Sequence, residues 1–84
     1  MTAVTRVLLV EDDEADAALT LASLKGSGLN TSHQRVWSRG DLAKSLAQQA
    51  WDVVLCDHNL PQFDGLSALA MVKAHDPDIP FIIV

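Results

Sequence analysis

The sequence has few cysteines, few basic residues and no long apolar run, and each shortage excludes a class of protein. Its single cysteine, Cys56, excludes an internal disulfide and a cysteine-rich zinc module, which fits a reducing compartment. The net charge of −5 argues against a nucleic-acid surface in this segment. No apolar run approaches the roughly 20 residues of a membrane span, and the N-terminus lacks a signal-peptide pattern. We therefore expect a cytoplasmic protein with no membrane or nucleic-acid contact through this segment.

The sequence does have enough apolar residues for a core. Hydrophobic residues make up 49% of its 84 positions, a composition that does not favour disorder. At this length one small domain is the upper limit. Without a repeat or a linker-like stretch, residues 1–84 are predicted to form a single domain.

Short apolar segments alternate with segments of helical character. Buried strands are predicted at 6–10, 51–57 and 81–84, and a more polar edge strand at 31–37. Helices are predicted after each of the first three strands: one from the acidic run to "GSG", one over 38–50 and one over 64–76. The resulting order βαβαβαβ predicts an α/β fold with a parallel sheet and helices on both faces.

The pattern also predicts which side chains face the core. Apolar spacing predicts an inner face of Ala17, Leu21 and Leu24 for the first helix. The inner face predicted for the second helix consists of Leu42, Ala43, Leu46, Ala47 and Ala50. The one predicted for the third helix consists of Leu66, Leu69 and Ala70. Asp64 and Gly65 are predicted to begin the third helix. Trp37 and Trp51 are expected to be hydrophobic covers rather than stacking platforms.

The stretch "LLVEDDEADA" (8–17) places five acids directly after an apolar strand. It could be a solvated helix start, a metal site, or half of a site completed elsewhere. With strand order 2-1-3-4, strands one and three are neighbours, so Glu11 and Asp12 would meet Asp57 at their carboxyl ends. Three close carboxylates need a cation, and all-oxygen ligands favour Mg²⁺. Asp13, Glu14 and Asp16 are interpreted as solvated helix acids, with Asp13 a candidate at the rim of the site.

The residues "VLLVEDDE", "DVVLCDHNLP", "FDGL" and "PDIPFIIV" at this spacing resemble the response-regulator receiver domain, a flavodoxin-like fold of the chemotaxis-receiver type. The resemblance covers essentially the whole chain. It implies that Asp57 accepts a phosphoryl group from a sensor histidine kinase or a phosphotransfer protein. It also implies that Asp12, Asp57 and the backbone carbonyl of Asn59 bind Mg²⁺, while Glu11 holds a metal-bound water.

The family also uses a Ser or Thr after strand four and a Lys after strand five, with two further helices. The printed sequence ends at Val84, before these positions. We therefore expect an incomplete receiver domain with impaired phosphorylation, which pairs with a second copy through the exposed edge of strand four or comes from a longer protein.

Two other functions remain as alternatives. One is a phosphorylation-independent interaction or dimerisation module derived from a receiver. The other is an aspartate-nucleophile phosphatase, which needs a second Asp two residues after the nucleophile; Asn59 stands there instead. We thus expect no enzyme acting on external substrates, but a phosphoacceptor that assists its own phosphorylation and dephosphorylation. His58 and Cys56 are interpreted as loop variation and a core thiol.

Overall fold

A computed structural model describes residues 3–57, 60 and 64–84 of the chain. Strands and helices alternate along these residues in the predicted order. The strands are β1 (Thr5–Val10), β2 (Thr31–Val36), β3 (Val53–Cys56) and β4 (Phe81–Ile83), and the helices are α1 (Glu14–Gly26), α2 (Arg39–Gln48) and α3 (Gly65–His75). None of these helices combines the length and apolar character that crossing a bilayer requires.

The four strands form one parallel sheet in the order β2-β1-β3-β4, as predicted. The central strand β1 pairs with β2 on one side and with β3 on the other. In this register Val10 lies beside both Val36 and Cys56, so the three strands end at the same level. The residues that directly follow β1 and β3 are therefore neighbours in space.

Alternate residues of the strands face opposite sides of the sheet and form two core clusters. The larger cluster lies under α2 and α3, and it includes Leu8, Val10, Val36, Leu42, Leu46, Trp51, Val54, Cys56, Ala68, Val72 and Ile79. The smaller cluster lies under α1 and consists of Val7, Leu9, Ala17 and Leu55, with Leu21, Leu24 and Val53 packed against it. The buried strands are thus apolar on both faces, as parallel strands usually are.

The predicted inner faces of α2 and α3 are partly wrong. In α2 the buried residues are Leu42, Ser45 and Leu46, while Ala43 and Ala47 are exposed, as is Ala50 beyond the end of the helix. In α3 they are Gly65, Ala68 and Val72, while Leu66 is 73% exposed and Ala70 is also exposed. The small residues of these helices made several faces look equally apolar, so hydrophobicity alone did not fix which face lies on the sheet.

Three side chains fix the points at which the helices begin. Asp13, Ser38 and Asp64 are the N-caps of α1, α2 and α3, and each accepts a hydrogen bond from the backbone N–H three residues later. The predicted start of α3 is thereby confirmed. At the other end of α1, Gly28 has a φ of +86°, a conformation that glycine adopts without strain. The capped ends set the direction in which each helix leaves the carboxyl edge of the sheet.

We predict that Ser38→Ala lowers the free energy of unfolding by about 1 kcal/mol, because the amide of Asp41 then loses its hydrogen-bond acceptor at the start of α2. Ser38→Asn is the matched control, since Asn caps helices as well as Ser does. Denaturant unfolding of the three proteins measures the difference. Equal losses in both variants would contradict a capping role.

Candidate metal site at the carboxyl ends of the strands

The sheet itself positions two of the candidate residues. Glu11 follows β1, and its backbone N–H donates to the carbonyl of Val36 over 2.9 Å. Asp57 follows β3, and its N–H donates to the carbonyl of Val10, also over 2.9 Å. Because both bonds extend the parallel ladders, Glu11 and Asp57 are fixed relative to one another by backbone pairing.

Three of the predicted ligands come together at this edge. Glu11, Asp12 and Asp57 each offer a carboxylate oxygen, and these atoms all lie within 4.8 Å of one another. Glu11 is only 6% exposed, Asp57 is half-buried and Asp12 is exposed, so the cluster opens toward solvent on one side. The fourth predicted ligand, Asn59, lies outside the described residues, as does His58.

The chemistry of this donor set fits a hard divalent cation. Carboxylate oxygens this close repel one another unless a proton or a cation neutralises them. Mg²⁺ commonly binds through one or two carboxylates and keeps several waters, which suits a site with an open side. The oxygen cluster, with no sulfur or imidazole among its three groups, favours Mg²⁺ over softer metals.

Glu11 shows the electrostatic cost of this arrangement. Burial is the largest of the effects that raise the pKa of its carboxyl from 4.5 to about 7, and the neighbouring Asp57 and Asp12 contribute to the same shift. The N–H of Asp13 donates to Oε2 of Glu11 over 3.2 Å and acts in the opposite direction. Without a cation, the cluster thus favours a proton on Glu11 near neutral pH.

Asp13 has a structural role beside the site. Its side chain caps α1 by accepting from the amide of Asp16 over 3.0 Å. The three acids that could hold a metal do not include it. Glu14 and Asp16 lie in the first turn of α1 and are exposed, as predicted for acids that complement the helix dipole.

Arg35 is a residue near the site that sequence reasoning missed. Its Nη1 donates to the backbone carbonyls of Glu11 (3.2 Å) and Asp12 (3.3 Å), and its guanidinium lies 4.4 Å from the ring centroid of Trp37. The contact between Arg35 and Trp37 was not predicted, whereas Trp51 is buried as expected. The available signal was the alternation of β2, which places Arg35 and Trp37 on one side near the end of a strand beside β1.

Cys56 is a core thiol, as predicted. It is fully buried in the larger cluster, and burial raises its pKa to about 11, with the charges of Asp57 and Glu11 adding to the shift. A thiol with such a pKa is protonated at neutral pH and is a poor nucleophile. The sulfur at the end of β3 is therefore not an activated nucleophile.

We predict that the metal-free protein becomes less stable as the pH rises from 4.5 to about 7. The folded state binds a proton at Glu11 over this range that the unfolded state releases, so each step upward in pH favours unfolding. Glu11→Gln should remove this part of the slope, whereas Glu14→Gln, which changes the same charge at an exposed position, should retain it. Denaturant unfolding in the presence of a chelator measures the slopes. Identical slopes in all three proteins would contradict the shifted pKa.

Comparison with known proteins agrees with this geometry. A family model described as the response regulator receiver domain matches residues 7–84. The transcriptional regulatory protein ZraR of Salmonella typhimurium is 32% identical over 78 residues, which cover 93% of this chain but only 17% of that protein. The chain thus spans about a sixth of the length of this relative.

Two solved structures share the fold. The MaeR response regulator bound to beryllium trifluoride is 25% identical to this chain and has a TM-score of 0.81. The match covers 95% of this chain and 66% of the MaeR chain. The receiver domain of a sensor histidine kinase from Pseudomonas aeruginosa, which has a magnesium ion coordinated in its active-site cleft, is 29% identical to this chain and has a TM-score of 0.79. The match covers 96% of this chain and 66% of the Pseudomonas chain.

The family model spans nearly the whole chain, and the sheet order and acidic cluster are those that the resemblance implied. The chain belongs to the response regulator receiver domain family of two-component signalling.

Proposed function

We propose that Asp57 is the phosphoacceptor of this receiver domain and takes its phosphoryl group from a phosphohistidine of a sensor histidine kinase or a phosphotransfer protein. The observation that carries the proposal is the convergence of Glu11, Asp12 and Asp57, whose oxygens lie within 4.8 Å of one another although they come from two strands. A carboxylate in such a cluster can act as a nucleophile once its neighbours' charge is balanced.

Glu11, Asp12 and Asp57 would hold the Mg²⁺ ion, together with the backbone carbonyl of Asn59, which lies outside the described residues. When bound, Mg²⁺ supplies positive charge that offsets the carboxylates and the oxygens of the incoming phosphoryl group. The solved receiver domain from Pseudomonas aeruginosa, which has magnesium in its active-site cleft, supports this assignment.

In the proposed transfer, a carboxylate oxygen of Asp57 attacks the phosphorus in line with the phosphorus–nitrogen bond of phosphohistidine. A phosphorus–oxygen bond forms, the phosphorus–nitrogen bond breaks, and its electron pair stays on the departing imidazole. The half-buried position of Asp57, whose backbone is anchored to β1, limits the freedom of the attacking oxygen.

The product is an acyl phosphate, which water can hydrolyse. We propose that the domain assists both its phosphorylation and its dephosphorylation, and that it does not turn over external phosphate esters. The residue two positions after Asp57 is Asn59 rather than the Asp that an aspartate-nucleophile phosphatase uses as acid and base. The signal would therefore last as long as the acyl phosphate on this one side chain.

Titration with Mg²⁺ and then with beryllium trifluoride, a phosphoryl mimic, tests the proposal by amide NMR. We expect saturable shifts at Glu11, Asp12 and Asp57. Asp57→Asn should abolish the response to beryllium trifluoride, since the amide offers no carboxylate oxygen to coordinate it. Asp52→Asn is the matched control, because Asp52 precedes the same strand at its opposite end and carries the same charge.

The response of the control decides the meaning of the result. A phosphoacceptor site is supported if wild type and Asp52→Asn bind beryllium trifluoride saturably and Asp57→Asn does not. An unaltered response in Asp57→Asn, or no Mg²⁺ binding by wild type, would overturn the proposal.

A second candidate function is self-association through β4. Within the residues that the structure describes, this strand forms one edge of the sheet, and Ile82 and Ile83 are each 49% exposed. Apolar edge strands readily pair with a strand of another chain, because their outer N–H and C=O groups are available for hydrogen bonds. We propose that a second copy would pair here in a two-fold arrangement, without requiring phosphorylation.

Sedimentation at increasing protein concentration tests this candidate. We expect a dimer that Ile82→Lys dissociates, because the charge would be buried at the new strand pair. Leu66→Lys is the control, since Leu66 is equally apolar and more exposed but lies on α3. A monomer at all concentrations, or equal effects of both substitutions, would exclude pairing through β4.

A further inference from the structure

We propose that Arg35, stacked on Trp37, is a positioning residue that orients the metal ligands Glu11 and Asp12. This inference rests on the proposed function, because it concerns the same Mg²⁺ site. Arg35 belongs to β2, a strand that contributes no carboxylate to the cluster. Its proposed role is to set the geometry of the segment between β1 and α1.

The contacts of Arg35 are made to backbone and not to carboxylates. A single nitrogen, Nη1, donates to the carbonyls of two consecutive residues, Glu11 at 3.2 Å and Asp12 at 3.3 Å. Two carbonyls that share one donor must turn toward the same point. The side chains of Glu11 and Asp12 leave the backbone at these residues, so their directions depend on this turn.

Asp12 is the ligand that most needs such a constraint. Glu11 is buried and accepts from the amide of Asp13, and Asp57 extends a strand ladder. Asp12 is exposed, and within the described part of the chain it belongs to neither a strand nor a core cluster. The Arg35 contact to its carbonyl thus restricts the most exposed ligand of the three.

Trp37 holds the guanidinium from the other side. The Cζ atom of Arg35 lies 4.4 Å from the centroid of the indole ring, a distance at which a cation is attracted to an aromatic face. The planar guanidinium can stack on the ring and still donate in its own plane. The ring, the guanidinium and the two carbonyls therefore form one connected unit between β2 and the metal ligands.

Arg35 also lies close to α1. It borders a cavity of about 240 Å³ together with Glu14, Ala17 and His33. The side chain thus lies between the edge strand and the first turns of α1, directly beside the segment that carries Glu11 and Asp12. Arg35 is half-buried in this position.

Positioning and simple charge predict opposite effects on metal affinity. A positive charge close to a cation site repels Mg²⁺, so removal of the charge alone would strengthen binding. If Arg35 acts by orienting the ligands, its removal weakens binding, as loss of groups that orient metal ligands typically does by 10- to 100-fold. The sign of the change therefore separates the two roles.

The test is Mg²⁺ titration of wild type, Arg35→Gln, Arg35→Lys and Trp37→Leu, with thermal unfolding of each protein. We expect about tenfold weaker binding in Arg35→Gln and Trp37→Leu. Arg35→Lys should remain weaker than wild type, because an ammonium keeps the charge but lacks the planar guanidinium that lies over the ring of Trp37. Arg39→Gln is the matched control, since it removes the same charge from the exposed start of α2 and should bind Mg²⁺ as wild type does.

Tryptophan fluorescence gives a readout that a purely structural role would not move. Mg²⁺ should change the emission of wild type saturably, because the ring of Trp37 contacts the guanidinium that holds the ligand segment. Trp37→Phe, which retains the buried Trp51, should lose this change while still binding Mg²⁺. The signal should also disappear in Arg35→Gln at saturating metal.

The outcomes distinguish this inference from the proposed function. Failure of wild type to bind Mg²⁺ would overturn both. Binding by wild type with equal or tighter binding by Arg35→Gln would overturn the positioning role alone. The positioning role would also be overturned if Arg39→Gln lost as much Mg²⁺ affinity as Arg35→Gln. The same holds if Mg²⁺ affinity fell only in variants that unfold at the assay temperature. Weaker binding in folded Arg35→Gln and Trp37→Leu, together with the fluorescence change, supports it.

Discussion

The parallel pairing of β1 with β3 is the constraint on which the site depends. It places Val10 beside Cys56, so the residues that follow, Glu11 and Asp57, meet at one edge of the sheet. Both strands are buried between α1 on one face and α2 with α3 on the other. The apolar core therefore provides the free energy that keeps carboxylates close together against their mutual repulsion. If β1 and β3 were not neighbours in the sheet, Glu11 and Asp57 would not meet and the carboxylate cluster would not form.

The cluster is consequently a strained charge arrangement supported by neutral packing. Burial and the neighbouring acids raise the pKa of Glu11 to about 7, because a carboxylate in this position is poorly solvated and lies beside other negative charges. A cation relieves this repulsion, and so does a proton. The charge that Glu11 carries near neutral pH therefore depends on whether a cation occupies the site.

A strand that contributes no acid to the cluster also contacts the backbone of the site. Arg35 of β2 links the carbonyls of Glu11 and Asp12 to the ring of Trp37. These contacts join the edge of the sheet to the segment before α1, whose start is capped by Asp13. The precision of a metal site commonly comes from such supporting contacts as well as from its ligands.

Sequence alone determined the element order, the parallel sheet and the pairing of an acidic run with a lone strand-end Asp, because apolar periodicity and polar strand ends are local signals. It could not fix the inner faces of α2 and α3, where Ala43 and Leu66 proved exposed, since several faces of an alanine-rich helix are about equally apolar. Nor could it identify the role of Arg35. A contact between residues 23 and 24 positions apart exists only once the strands have paired, so tertiary structure decided it.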